Sequence, residues 1–188
     1  MELFWNILET SWGEILIVAN LKGIVRITLP GDNASKILNG LCKNRDTILT
    51  HKNTNMIAQA KKQIVEFLRG ERNEFHLELN PQGTDFQKRV WNALKKIPYG
   101  QTRCYQEIAK AVGSPKAMRA VGMANNKNPI PLVVPCHRVI GKNGDLVGFG
   151  GGLPLKKRLL KLEAENVSTK KPSKSSRSHR PSQRAIHA

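Results

Sequence analysis

The 188 residues include only three cysteines, Cys42, Cys104 and Cys136. They are too few and too irregularly spaced for a disulfide framework or a CxxC zinc site, which points to a reducing, intracellular setting. No stretch approaches the roughly 18 apolar residues that a transmembrane helix needs. Met1–Thr10 carries Glu2 and Glu9 and lacks the basic start and apolar run of a secretory leader. Acids are scarce as well: 14 Asp and Glu stand against 31 Lys and Arg, a formal net charge of +17. That excess points to a polyanion partner, most simply nucleic acid, although a solvated surface with a basic tail gives the same balance. Hydrophobic residues make up 39%, so disorder of the whole chain is excluded.

Three stretches emerge along the chain. Residues 1–80 read as a small α/β domain. Ile15–Ala19 and Ile24–Leu29 are β-branched runs joined at Gly23, and Met1–Leu8 adds a strand. Met56, Ala60, Ile64, Phe67 and Leu68 mark a helix over Asn55–Leu68 that ends at Gly70. Phe75, Leu77 and Leu79 alternate with polar residues as in a half-buried strand, and Asn80-Pro81-Gln82-Gly83 breaks the chain. Residues 81–166 read as mainly helical, beginning with a helix capped by Thr84 that runs through Lys96. Two short helices follow, Tyr105–Val112 and Pro115–Asn125, with Ser114 as cap of the second, a pattern shared by a helix-turn-helix and a plain helical hairpin. A further helix is expected over Leu155–Glu165. Residues 167–188 hold six Lys/Arg, six serines and no acid, and read as a disordered basic tail; without it the net charge is still +11. Phosphate attraction, a localisation signal and simple solubilisation all fit that tail.

In the second short helix Ala117, Ala120 and Ala124 recur beside Gly122, leaving one face almost without bulk. Close helix packing and entry into a narrow minor groove both fit such a face. The chemistry lies in Asn128–Val139, where Pro129, Pro131 and Pro135 fix the backbone of an apolar segment that ends in Cys136-His137. Apolar burial raises a thiol's pKa, so a nucleophilic Cys136 needs a base. In extended chain His137 points away from Cys136, which favours a bridging water. Glu163 is a candidate to orient the imidazole. An inert buried cysteine and a structural histidine fit the same residues.

Pro135-Cys136-His137-Arg138-Val139 resembles the active-site motif of the O6-alkylguanine-DNA alkyltransferases. Phe86–Trp91, Ile97–Thr102, Tyr105, Lys116–Gly122, Asn128-Pro129 and Leu159-Leu160-x-Leu162-Glu163 follow in that family's order and spacing. The resemblance covers about residues 80–165 strongly and the first unit weakly. It implies an α/β fold: a ribonuclease-H-like N-terminal domain followed by a helical domain with a helix-turn-helix. It implies direct, single-turnover transfer of an alkyl group from O6-alkylguanine, and O4-alkylthymine, in double-stranded DNA to Cys136. His137 would act as base through water, oriented by Glu163, and Tyr105 would help the base leave.

By the same resemblance the lesion is flipped out through the minor groove, with Arg119 taking its place. Ala117, Ala120 and Gly122 would face DNA, and Asn128 would bridge the recognition helix to the active-site segment. Val139, Phe149, Gly150 and Met123 would line the guanine pocket. Phe149 and Gly150 depart from the tyrosine and serine of many relatives. Cys42, His51 and His76 are read as no zinc site, so neither metal nor cofactor is expected, and Cys42 and Cys104 are read as structural. The protein is expected to act as a monomer away from membranes, in the cytoplasm of a prokaryote or the nucleus of a eukaryote. A lesion-binding relative that flags damage without repair carries another residue at the nucleophile position, against which Cys136 argues.

Overall fold

Residues 2–27 form a meander because β-branched and apolar residues there alternate with turns at Ser11–Trp12 and Leu21–Lys22. In the computed structural model, which describes residues 1–42 and 46–169, β1 (Glu2–Thr10) pairs antiparallel with β2 (Gly13–Asn20), and β2 with β3 (Gly23–Ile27). β4 (Ile48–His51) adds parallel to β1, giving the order β3-β2-β1-β4. The central strand β2 is covered on both sides, so it reads as an unbroken apolar run. Ile15, Ile17 and Ala19 face α2 (Asn55–Leu68), whereas Leu16 and Val18 face α1 (Ala34–Leu41). Neither α1 nor β4 was expected from the sequence.

Phe75, Leu77 and Leu79 do pack on the core, but their segment is not a strand. The buried Gln63 of α2 takes both backbone groups of His76, donating to its carbonyl and accepting from its N–H, each at 2.8 Å. Only Leu79 reaches the sheet, as an isolated bridge to Ile24. This crossing is why residue 23 is glycine: a Cβ there would lie 2.8 Å from the Glu78 carbonyl oxygen.

The helical unit starts with α3 (Asp85–Lys95), whose end is closed by reciprocal Thr84–Gln87 hydrogen bonds. β5 (Arg103–Cys104) then leads into α4 (Tyr105–Ala111). Gly113 and Ser114 terminate α4 through N–H bonds to the Lys110 and Ala109 carbonyls. The Ser114 carbonyl then closes a separate turn by accepting the Ala117 N–H, so α5 begins later than expected, at Met118–Asn126, with Ala117 and not Ser114 at its cap. β6 (Val139–Ile140) pairs parallel with β5, and α6 spans Gly152–Thr169. Val167–Thr169 thus continue a helix rather than begin a tail; the remainder of the expected tail lies outside the described residues. The units share one apolar cluster. They are also joined by the Ile27 N–H on the Pro129 carbonyl at 2.9 Å and by Arg158 of α6 stacked 3.6 Å over Trp12. No described helix is long and apolar enough to cross a membrane.

Candidate active site

Between α5 and β6 the chain cannot continue as an α-helix, because three prolines interrupt it. It instead folds into a buried turn, with the Val134 N–H on the Ile130 carbonyl and Leu132 in the left-handed region at φ 71°. That conformation costs a non-glycine residue about 1–2 kcal/mol; burial of the Leu132 side chain helps hold it. Asn128 spans the turn, donating to the Val134 carbonyl at 2.8 Å and accepting from the Ile130 N–H at 3.0 Å.

The segment delivers Cys136, His137 and Arg138 as one turn of 3-10 helix, not as the extended chain expected. Successive side chains then diverge by about 120° instead of opposing each other. All three are buried. His137 Nε2 lies 2.8 Å from Glu163 Oε1 of α6. Arg138 grips the same carboxylate through Nε and Nη2 and donates Nη1 to the Ile97 carbonyl at 2.6 Å. Glu163 also accepts the Gly100 N–H at 2.9 Å. Gly100 has φ 74°, and a Cβ there would strike Val167 at 2.6 Å, so the last turns of α6 fit closely over this junction.

Burial pushes the Glu163 carboxyl up, but its bonds and charge contacts with His137 and Arg138 outweigh this and hold it below the usual range. An ionised Glu163 only accepts, so the imidazole proton sits on Nε2. Burial also pushes His137 down despite Glu163, keeping the ring neutral. Its Nδ1 therefore carries a free lone pair, and it has no hydrogen-bond partner among the described residues. The Cys136 thiol is pushed up by burial. Hydrogen bonds involving Asn128 and the local backbone, together with the Lys156 charge, oppose that rise.

Tyr105 opens α4 immediately after the strand that pairs with Val139-Ile140, which fixes it against the active-site segment. Burial and then the Cys136 charge raise its pKa. A Cβ on Gly148 would lie 3.8 Å from the Tyr105 hydroxyl, and one on Gly150 would lie 4.0 Å from Asn126 Oδ1, so the glycine loop closes over this region. Phe149 packs on the shared core, near Gly151. The Val139 carbonyl accepts Lys156 Nζ at 2.5 Å, and the same ammonium donates to the Val147 carbonyl at 2.8 Å.

Sequence reasoning missed the anchoring by Arg138, the buried Lys156 and the buried Asn125. Arg138 lay inside the recognised motif. Lys156 offered no signal, because a lysine in a helix ordinarily reads as solvated. Met123, expected in the pocket, is instead 63% exposed, while Asn125 two residues on is buried. The helical turn places Val121, Ala124 and Asn125 on the inner side and Met123 outside. For the same reason the small residues do not form one outer face. Ala120 is exposed, Ala117 and Gly122 are half-buried, and Ala124 is buried, its carbonyl accepting Trp91 Nε1 at 2.9 Å. Met118 and Arg119 are exposed with Ala120.

Cys42 is exposed and Cys104 half-buried at the start of α4, its backbone N–H held by Glu107. Among the described residues no group of three or more His, Cys, Asp or Glu is placed to hold a metal.

Two family models match the chain. Residues 3–81 match the ribonuclease-like domain of 6-O-methylguanine DNA methyltransferase, and residues 85–165 match its DNA binding domain. The methylated-DNA–protein-cysteine methyltransferase of Methanosarcina acetivorans is 44% identical over 162 residues, covering 86% of this chain and 98% of the relative. The constitutive enzyme of that name from Bacillus subtilis is 43% identical, covering 89% and 98%. The O6-methylguanine methyltransferase structure from Mycobacterium tuberculosis superposes with a TM-score of 0.75 at 37% identity, over 87% of this chain and 94% of that one. A structure of the same protein in complex with DNA gives 0.73 at 36% identity, over 88% and 94%. With both halves matched and the relatives covered almost end to end, this chain belongs to the 6-O-methylguanine DNA methyltransferase family.

Proposed function

We propose that the protein repairs alkylated DNA directly, taking the alkyl group of O6-alkylguanine, and of O4-alkylthymine, onto Cys136 in one irreversible event. The observation that carries this reading is the buried Cys136 preceding a neutral histidine whose Nε2 is tied to Glu163 and whose Nδ1 is free. The thiol proton passes through a solvent molecule to Nδ1, since side chains a third of a turn apart do not face each other. Sulfur attacks the alkyl carbon, a C–S bond forms and the C–O6 bond breaks. The departing guanine gains electron density, which the Tyr105 hydroxyl meets by hydrogen bonding. Overall the proton lost by sulfur is gained by guanine. The thioether has no comparable leaving group, so the protein is consumed.

The partner is double-stranded DNA, entered from the minor groove. Arg119 stands on the exposed side of α5 and fills the space of the flipped base, while Ala120 permits close approach and Ala117 and Gly122 flank it. Val139, Phe149 and Gly150 line the base pocket, and Asn128 couples α5 to the nucleophile. The domain division is placed at 80/81. The protein acts as a monomer in the cytoplasm, on the nucleoid, a placement in keeping with its archaeal and bacterial relatives.

Incubation with DNA carrying O6-methylguanine is expected to raise the protein mass by one methyl per chain, with peptide mapping placing the adduct on Cys136. Cys136→Ala should gain no mass yet still bind DNA. Multiple turnover, or an adduct elsewhere, would refute the mechanism.

A further inference from the structure

Asn125 is the one polar residue on the buried side of α5, 4% exposed beside Val121 and Ala124. Its Nδ2 points to the Cys136 carbonyl at 3.5 Å, which orients the amide because a carbonyl only accepts. Oδ1 is left buried without a hydrogen-bond partner among the described residues. The amide also lies close enough to the Tyr105 hydroxyl to oppose the rise that burial gives its pKa. Gly122, almost one turn earlier, faces the Tyr105 ring, at 3.8 Å from a would-be Cβ. An acceptor buried without a donor costs about 1–3 kcal/mol. Here it occurs beside the two groups that would handle the base.

We propose that Asn125 is a specificity-determining residue whose Oδ1 accepts a hydrogen bond from the 2-amino group of the flipped O6-alkylguanine. This rests on the alkyl-transfer reading. Alkylation at O6 removes the N1 proton, so the 2-amino group is the only hydrogen-bond donor left on the purine ring system. Its ring neighbour N3 is an acceptor, suited to the Tyr105 hydroxyl. Asn125 and Tyr105 together thus offer an acceptor and a donor to adjacent atoms of one edge. O4-alkylthymine has no amino group and leaves Oδ1 unpaired, so it reacts more slowly.

The test compares transfer rates from two duplexes, one with O6-methylguanine and one with O6-methylhypoxanthine, which lacks only the amino group. Wild type is expected to favour guanine at least ~10-fold, since a site built around a hydrogen bond rejects the analogue without it. Asn125→Leu should narrow that ratio to within about threefold, chiefly by slowing guanine. Asn125→Asp keeps an acceptor and should keep the ratio, even where both absolute rates fall. Equal wild-type rates, or a ratio unchanged in Asn125→Leu, would overturn the proposal while leaving alkyl transfer intact. The wild-type comparison decides against it even if a variant fails to fold. No transfer from either duplex by wild type would defeat both readings.

Discussion

The sheet unit and the active-site unit are buried to similar depth but by opposite means. Around β2 the interior is Leu3, Ile15, Leu16, Ile17 and Val18, backed by Ile57, Ile64 and Phe67, and no charged side chain among the described residues of that unit is buried. Around Cys136 the interior holds His137, Arg138, Lys156 and Glu163, all 6% exposed or less. Apolar burial stabilises in proportion to area and tolerates rearrangement. A buried ionic group yields little net stability, yet losing one member leaves its partners uncompensated. The first unit is held by apolar area alone, whereas the second is held around Cys136 by charges that depend on one another.

Breaking one element of each sharpens this contrast. Glu163→Gln should cost about 3–5 kcal/mol, because Arg138 loses its counter-charge. It should also slow alkyl transfer at least ~100-fold through the misoriented His137. Ile17→Ala should cost a comparable ~2–5 kcal/mol through its cavity, with the transfer rate of the folded fraction unchanged. Denaturant unfolding paired with single-turnover kinetics measures both. If Ile17→Ala slowed chemistry as much as Glu163→Gln, the division of labour would be wrong.

The outer side of α5 should show a smaller and more selective effect. Arg119→Ala is expected to slow repair of duplex DNA about tenfold or more, a loss of flipped-state support worth ~1.4 kcal/mol. Reaction with free O6-benzylguanine should be nearly untouched. Equal losses on both substrates would remove Arg119 from base flipping.

Acid should separate the units most gently. Burial depresses His137, so below the ordinary value of 6.5 the unfolded chain binds a proton that the native state refuses. Stability present above that pH is lost as pH falls below it. The depressed Glu163 adds loss in the same direction once pH drops below 4.5. Thermal unfolding of wild type should therefore weaken between pH 7 and 5, and more shallowly in His137→Gln. Parallel curves would mean that folding leaves the affinity of His137 for its proton unchanged.

What the sequence disclosed depended on whether local pattern decided the structure. The Asn55–Leu68 helix has its observed bounds because Thr54 caps it and its apolar residues repeat along one face. The Thr84 cap was readable for the same reason. α1 does repeat Ala34, Ile37, Leu38 and Leu41 along one face, but over only eight residues, and β4 has four residues and no periodic signal. β4 exists because it pairs with β1, more than forty residues earlier. The alternation at Phe75–Leu79 reported burial correctly, but it could not show that Gln63 had already taken the hydrogen bonds of His76. At the site, motif order picked out Cys136, His137 and Glu163, which the fold brings together. The inward turn of Asn125 and the burial of Lys156 arise from packing between distant segments and left no local trace.

The Lys156 ammonium has a consequence for how this molecule tolerates change. By holding the Val139 and Val147 carbonyls at once, it staples together the two ends of a short excursion. The tip, Lys142–Asp145, is exposed and closes on itself through the Gly141 N–H on the Asp145 carbonyl. Foreign sequence spliced at that tip should therefore leave the surroundings of Cys136 undisturbed, which makes it a natural port for a reporter peptide.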